Sequence, residues 1–169
     1  KISLRYVLST KNKFNDIGFI IHDIDSIDIY PPEINYIFGI RNTNMITNVL
    51  SFNHIINNKI DISIKLRYHL DQVKNLQFKD LGGDGYLYDS EYIGNHNINY
   101  TTWTSDVVFN WRFAPGSQMS LVWKNGIQNE DNTLVNHWIN NLENTFSLSQ
   151  QNSISLKLIY YLDYLYIRK

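Results

Sequence analysis

With no cysteine to supply a disulfide or a thiolate ligand, the residues whose types and spacing are to be weighed for chemistry are the five histidines and two short acidic stretches. His22, His54, His69, His96 and His137 form no HxH or HExxH pair, the spacings that bring two imidazoles to one metal. Their expected use is polarity in loops or in a solvated interior. Asp84, Asp89 and Glu91 stand among Gly82, Gly83 and Gly85 and offer the oxygen ligands that calcium takes. Their order fits no EF-hand loop, which leaves a Gly- and Asp-rich surface loop. His22, Asp23 and Asp25 read the same way. There is no GxSxG turn and no Gly-rich phosphate loop, and the carboxylates are too dispersed to nominate an acid and a base. The residues point away from an enzyme and imply no catalytic group, metal or cofactor.

The ionisable residues that do share a setting are Lys65, Arg67, Asp106, Arg112, Lys124, Lys157 and Asp163, joined by Arg5. Each falls in mid-strand on the polar parity, opposite an apolar row. If the strands cross a membrane, such groups must be hydrated or paired within it, and they can tune the passage of solutes. Internal salt bridging that merely fills the interior would use the same residues.

The elements that position these charges are strands. Trp103, Val107, Phe109, Trp111 and Phe113 share one parity, Thr102, Thr104, Asp106, Asn110 and Arg112 the other, and Ala114-Pro115-Gly116 then turns the chain. On the returning arm Met119, Leu121 and Trp123 alternate with Gln118, Ser120, Val122 and Lys124. Alternation of this kind is a strand with one apolar face. Ile60, Ile62, Ile64, Leu66, Tyr68 and Leu70 alternate without a fault, and Asn57-Asn58 before them is a two-residue hairpin signal through the left-handed conformation that Asn tolerates.

Six strands are expected: Ile2 to Ser9, Ile34 to Ile56 as one long strand, Ile60 to Leu70, Tyr100 to Phe113, Gln118 to Asn125, and Ser153 to Arg168. Lys11 to Pro32 reads as a long loop with a possible extended piece, ending at the breaker Pro31-Pro32, and Asp71 to Asn99 as another. After Gly126 a short helix from about Leu134 to Asn144 is expected from the spacing of Val135, Trp138, Ile139, Leu142 and Phe146, capped by Asn132 or Thr133. It is expected to pack on neighbouring loops.

A net charge of -1 over 169 residues and the lack of a polybasic run argue against nucleic acid. No run of about 18 apolar residues exists, which excludes a transmembrane helix and leaves a β-barrel open. Aromatics at 14%, with twelve Tyr and four Trp, suit an interfacial girdle or a sugar-binding surface.

Loop sorting favours the barrel. Long connections follow the first, third and fifth strands and tight turns the second and fourth, which puts all long loops at one end of a meander, whereas Greek-key crossings have no reason to sort them. Eleven residues from Ile60 to Leu70, at about 3.3 Å each and tilted by about 40°, rise roughly 25 to 28 Å, the height of an outer-membrane apolar band. The expected lipid-facing residues are Ile60, Ile62, Ile64, Leu66, Val107, Phe109, Leu121, Leu156 and Leu158, and the girdle aromatics Trp103, Trp111, Phe113, Trp123 and Tyr164. The fold class is therefore all-β, an antiparallel up-and-down transmembrane β-barrel with long extracellular loops. Six strands are fewer than the eight of the smallest such barrels, so residues 1–169 are expected to be the C-terminal portion of a longer barrel, with no second domain.

The wording NWRFAPGSQMSLVWKN followed by QNSISLKLIYYLDYLYIRK, with FGIRNTNMITNVLSF and IKLRYHL upstream, resembles the C-terminal end of a Bacteroidota outer-membrane protein family of unknown function. Its members carry an N-terminal module similar to a family-nine carbohydrate-binding domain ahead of a barrel. The resemblance implies a fold, the bacterial outer membrane and a phylum, and carries over no active-site residue. Expected partners are outer-membrane lipid, the remainder of the same barrel, and other outer-membrane or surface proteins. Two functions stay open: a pore or transport barrel, and a surface binding protein whose barrel only anchors recognition loops. A soluble aromatic-rich carbohydrate-binding β-sandwich is the weaker third.

Overall fold

The computed structural model describes residues 1–24 and 34–162. Seven strands and one helix follow in order: β1 (Ile2–Ile24), β2 (Ile34–Ile55), β3 (Ile60–Leu81), β4 (Leu87–Asp89), β5 (Ile98–Ala114), β6 (Ser117–Asp131), α1 (Trp138–Phe146) and β7 (Gln151–Ile159). They make one antiparallel sheet in the order β1-β2-β3-β5-β6-β7, with β4 paired to the far end of β3. Among the described residues the sheet is a meander that does not close, since β1 and β7 are not neighbours. The sandwich alternative has no second sheet among the described residues.

The strands run longer than their alternation. The stretch expected as a loop from Lys11 is strand as far as Ile24, because its polar residues pair with β2 from Arg41 to Met45. A bulge between Lys13 and Asp16 absorbs the misfit. There Asn15 takes a positive φ of 53°, and its N–H donates to Asn42 Oδ1 at 3.0 Å. β3 likewise continues past Leu70 to Leu81, and β6 past Asn125 to Asp131. The expectation of one long second strand matches β2. β7 ends at Ile159, not Arg168. Tyr160 to Leu162 are not strand, and the rest of that expected strand lies outside the described residues.

The two tight turns differ in mechanism. Gly116 has φ +72°, a conformation that costs a side-chain-bearing residue strain, and it closes the Ala114–Ser117 pair. At the other turn neither Asn57 nor Asn58 is left-handed. Instead Asn57 Oδ1 accepts the N–H groups of Lys59 at 2.8 Å and Ile60 at 2.9 Å, and the side chain joins the backbone bond from the Ile56 N–H to the Ile60 carbonyl at 3.0 Å in shaping the reversal. The helix begins later than expected, and its N-cap is His137 with no side-chain cap bond.

Register carries each parity across the sheet. On one face Leu4, Phe52, Ile64, Val107, Trp123 and Ile154 form a single row. One row nearer the tight turns lie Ile2, His54, Ile62, Phe109, Leu121 and Leu156. None of these side chains is buried: Leu4 is 68% exposed, Ile154 73% and Leu156 65%. The fully buried apolar side chains among the described residues are Ile37, Tyr68, Leu70 and Ile127. Among the described residues the band thus belongs to no core.

Candidate functional site

The opposite face collects the charges. Arg5, Ser51, Lys65, Asp106, Lys124 and Ser153 are consecutive partners in one cross-strand row. Neighbouring strands lie about 4.8 Å apart, so Lys65 and Lys124 flank Asp106 at about that spacing. The carboxylate nevertheless pairs diagonally: Arg67 Nη1 lies 2.6 Å from Asp106 Oδ2 and donates also to Thr104 Oγ1 at 3.3 Å. Both partners are partly exposed, so the pair is screened and worth about 1 kcal/mol or less. Towards the tight turns Asp61 accepts from Asn110 Nδ2 at 2.8 Å, and Arg112 lines the hollow that Asp61 and Asn110 also line. Lys157 is in register with Ser120, and Asn110 with the same serine. Arg5, Lys65, Arg67, Lys124 and Lys157 thus share a face with only Asp61 and Asp106 as carboxylates within these rows, which makes its electrostatic character cationic. Asp163 and Tyr164 lie outside the described residues.

Towards the long connections the same face carries a second cluster. Lys11, Lys13, Asp16, Arg41 and Asp71 line one hollow, and Lys13 Nζ pairs with Asp16 Oδ2 at 3.2 Å. The Arg41 guanidinium lies over Gly18, in the space a Cβ there would occupy. Sequence reasoning missed this cluster by reading Lys11 onward as loop. The signal was present in the register-compatible polar run of β2 from Arg41 to Asn44.

The apolar face is interrupted at its upper end by a polar network under α1. Gln72 Nε2 donates to Asn99 Oδ1 and to the Val135 carbonyl, both at 3.0 Å. Asn99 Nδ2 donates to Asn141 Oδ1 at 3.0 Å. The Thr145 and Thr101 hydroxyls meet at 3.1 Å, and Thr145 Oγ1 donates to the Asn141 carbonyl at 2.7 Å. Asn99, Thr101, Asn141 and Thr145 are all buried. Sequence reasoning missed this network too; its signal was the run of Asn and Thr at 99 and 101 on the parity that carries Val107 and Phe109 lower down.

The aromatics divide into two collars. Near the tight turns Trp111 contacts Phe113 at 5.5 Å between ring centroids, and Phe113 stacks on Tyr160 at 6.2 Å. Near α1, Trp103 meets Phe146 edge-on at 4.8 Å and Tyr68 meets Trp138 at 6.4 Å. Trp123, expected in a girdle, is in register with Val107, midway between the collars. Ile60, Ile62, Ile64, Leu66, Val107, Phe109, Leu121, Leu156 and Leu158 all fall between or at them on the apolar parity.

The acidic loop residues are occupied locally. Asp84 accepts from the Tyr88 hydroxyl at 2.6 Å and from the Tyr86 N–H at 3.1 Å, and these bonds, the hydroxyl first, hold its carboxyl below the usual carboxylate range. Asp89 pairs with Lys79. Among the described residues no three His, Asp or Glu side chains gather where they could hold a metal.

Over residues 1–169 the chain matches the family described as a domain of unknown function (DUF5916), and it belongs to that family. No curated protein and no solved structure matches it.

Proposed function

We propose that this member of the family is part of the wall of an outer-membrane β-barrel, with the apolar band against lipid and the cationic face towards a hydrated lumen. One observation carries the reading: the register aligns an exposed apolar band on one side of a single sheet with a row of charges on the other. Trp103 and Trp111 are eight residues apart on β5, about 26 Å along the strand and roughly 20 Å along the membrane normal at a 40° tilt, close to an outer-membrane apolar band. The free edges of β1 and β7 carry Leu4, Tyr6, Leu156 and Leu158, all exposed. Such edges invite pairing, and the remaining strands of the same barrel would cover them. The phylum and the N-terminal sugar-binding module implied by the resemblance belong to this proposal.

In function the wall serves a pore or transporter whose lumen favours anions, because Arg5, Lys65, Arg67, Lys124 and Lys157 outnumber Asp61 and Asp106 there. Conductance of the full-length protein in a planar bilayer tests this. An anion-preferring conductance is expected, and Asp106→Asn should strengthen the preference by leaving Lys65, Lys124 and Arg67 unopposed. A barrel that inserts but carries no current would remove the pore reading.

The anchoring alternative has its own observation. β2 has 22 residues, roughly 70 Å along the strand and about twice the membrane band after tilt. The excess stands beyond the band at the long-loop end, where a surface binding protein would display its recognition loops.

A further inference from the structure

The helix α1 is amphipathic in the wrong sense for a helix packed on a sheet. Such a helix normally buries its apolar stripe. Here Asn141 and Thr145 are buried against β5, while Trp138 is 43%, Ile139 52% and Phe146 44% exposed. At 3.6 residues per turn, Trp138, Leu142, Phe146 and Ile139 occupy one continuous arc beside the buried pair, with Asn140, Glu143 and Asn144 on the far side.

The arc has a direction. Asn141 and Thr145 bond to Asn99 and Thr101, whereas Trp138 and Phe146 lie against Tyr68 and Trp103, which are partners in the next row nearer the tight turns. The apolar side of α1 therefore tilts towards the apolar band and continues it upward. The polar side is anchored to the Asn/Thr rows above. This is the layering of an interface: hydrocarbon-facing residues below, aromatic rings at the boundary, amides and hydroxyls above.

We propose that α1 lies on the outer surface of the barrel at the boundary between lipid acyl chains and headgroups, with Ile139, Leu142 and the Trp138 and Phe146 rings in the lipid. The proposal rests on the membrane reading above and adds an occupant for a helix face that the described residues leave open. α1 has one charged residue, Glu143, and no Lys or Arg, so attraction to anionic lipid does not hold it there. The hydrogen bonds to Asn99 and Thr101 do, fixing the helix at one depth.

With any cysteine outside residues 1–169 replaced by serine, the absence of cysteine within them allows a direct test. Single substitutions Ile139→Cys, Asn140→Cys and Leu121→Cys in the full-length protein are labelled with an environment-sensitive fluorophore and reconstituted into phosphatidylcholine vesicles. Quenching is read from aqueous iodide and from lipids carrying a nitroxide near the headgroup or deep in the acyl chain. Expected are strong quenching at 139 by the shallow nitroxide, deep-nitroxide quenching at 121, and several-fold greater iodide quenching at 140 than at 139. Lipid quenching at 121 with iodide access at 139 equal to that at 140 would overturn the inference and leave the barrel standing. Position 139 shielded from both iodide and lipid would assign its cover to protein and overturn it as well. No lipid quenching at 121 would overturn the membrane reading itself, and this inference with it.

Discussion

The two ends of one sheet face make different environments from the same alternation. Between Trp111 and Val107 the parity that includes Leu121 and Ile64 is apolar and uncovered. Above Trp103 the same parity reads Thr101 and Asn99 and is covered by α1. Alternation reports only that a strand has two faces. What each face touches is written in which residue types hold the parity at each height, and that changes along a single strand.

The largest way to break this comparison is to put a charge in the lower region. Leu121→Arg should lower the stability of the full-length protein refolded into lipid vesicles by about 2 to 4 kcal/mol if the site lies near mid-membrane, while Ser120→Arg, on the charged face, should cost much less because water solvates it. Arg at Val107 should cost more than at Trp103 or Trp111, where it can reach headgroups. Urea titrations of the five variants give the profile; a flat one would erase the distinction between the two ends.

In the upper region the corresponding loss is of hydrogen bonds. Asn141→Ala removes the acceptor of Asn99 Nδ2 and strands a buried amide, which should cost about 1 to 3 kcal/mol. Asn140→Ala, on the outer side of α1, should cost under about 0.5 kcal/mol. Equal losses would mean that the network under α1 does not hold the helix.

The tight turns sharpen the comparison at the far rim. Gly116→Ala should destabilise by about 1 kcal/mol, since Gly116 has φ +72° and the new Cβ would sit 3.0 Å from Tyr161 Cβ. Asn58→Ala should be nearly neutral, because Asn57 carries the side-chain bonds of that turn. Thermal melts of the two variants separate these mechanisms.

Much of the lower region was legible in sequence because every strand there keeps its period. Ile60 to Leu70 and Trp103 to Phe113 announce their faces, and Pro115-Gly116 announces the reversal. The upper region was not, because β1 beyond Thr10 and β3 beyond Leu70 keep their hydrogen bonds while losing their apolar row. Lys11, Asn12 and Lys13 look like loop residues and are strand only because Met45, Asn44 and Thr43 lie opposite. The cap of α1 was misplaced for a related reason: Asp131 Oδ1 accepts the Thr133 N–H, so these residues shape a turn before the helix instead of opening it. The cationic row was visible as parity, but the choice of Arg67 over Lys65 as the partner of Asp106 depends on side-chain reach across the diagonal, which no single strand records.

The smallest expected effect lies in the loop beyond β3, and it extends the comparison to a region with neither lipid nor helix over it. The Tyr88 hydroxyl donates to Asp84 Oδ2 at 2.6 Å, a bond that holds the Asp84 carboxyl below its ordinary range and raises the Tyr88 hydroxyl above its own. The sign follows for each group. Asp84, depressed in the folded loop, contributes order that is present above its unfolded titration and is lost as pH falls through the folded one. Tyr88, raised, contributes order that is present below its unfolded titration and is lost as pH rises through the folded one. The loop should therefore be most ordered across neutral pH and loosen at both extremes, with the acid limb displaced below that of an unbonded aspartate. Hydrogen exchange at the Tyr86 amide, whose N–H also donates to Asp84, reads this directly. In Tyr88→Phe the acid limb should move up towards the ordinary carboxylate range and the alkaline limb should vanish. If both limbs persist unchanged in that variant, the loop is ordered by something other than the Asp84–Tyr88 bond.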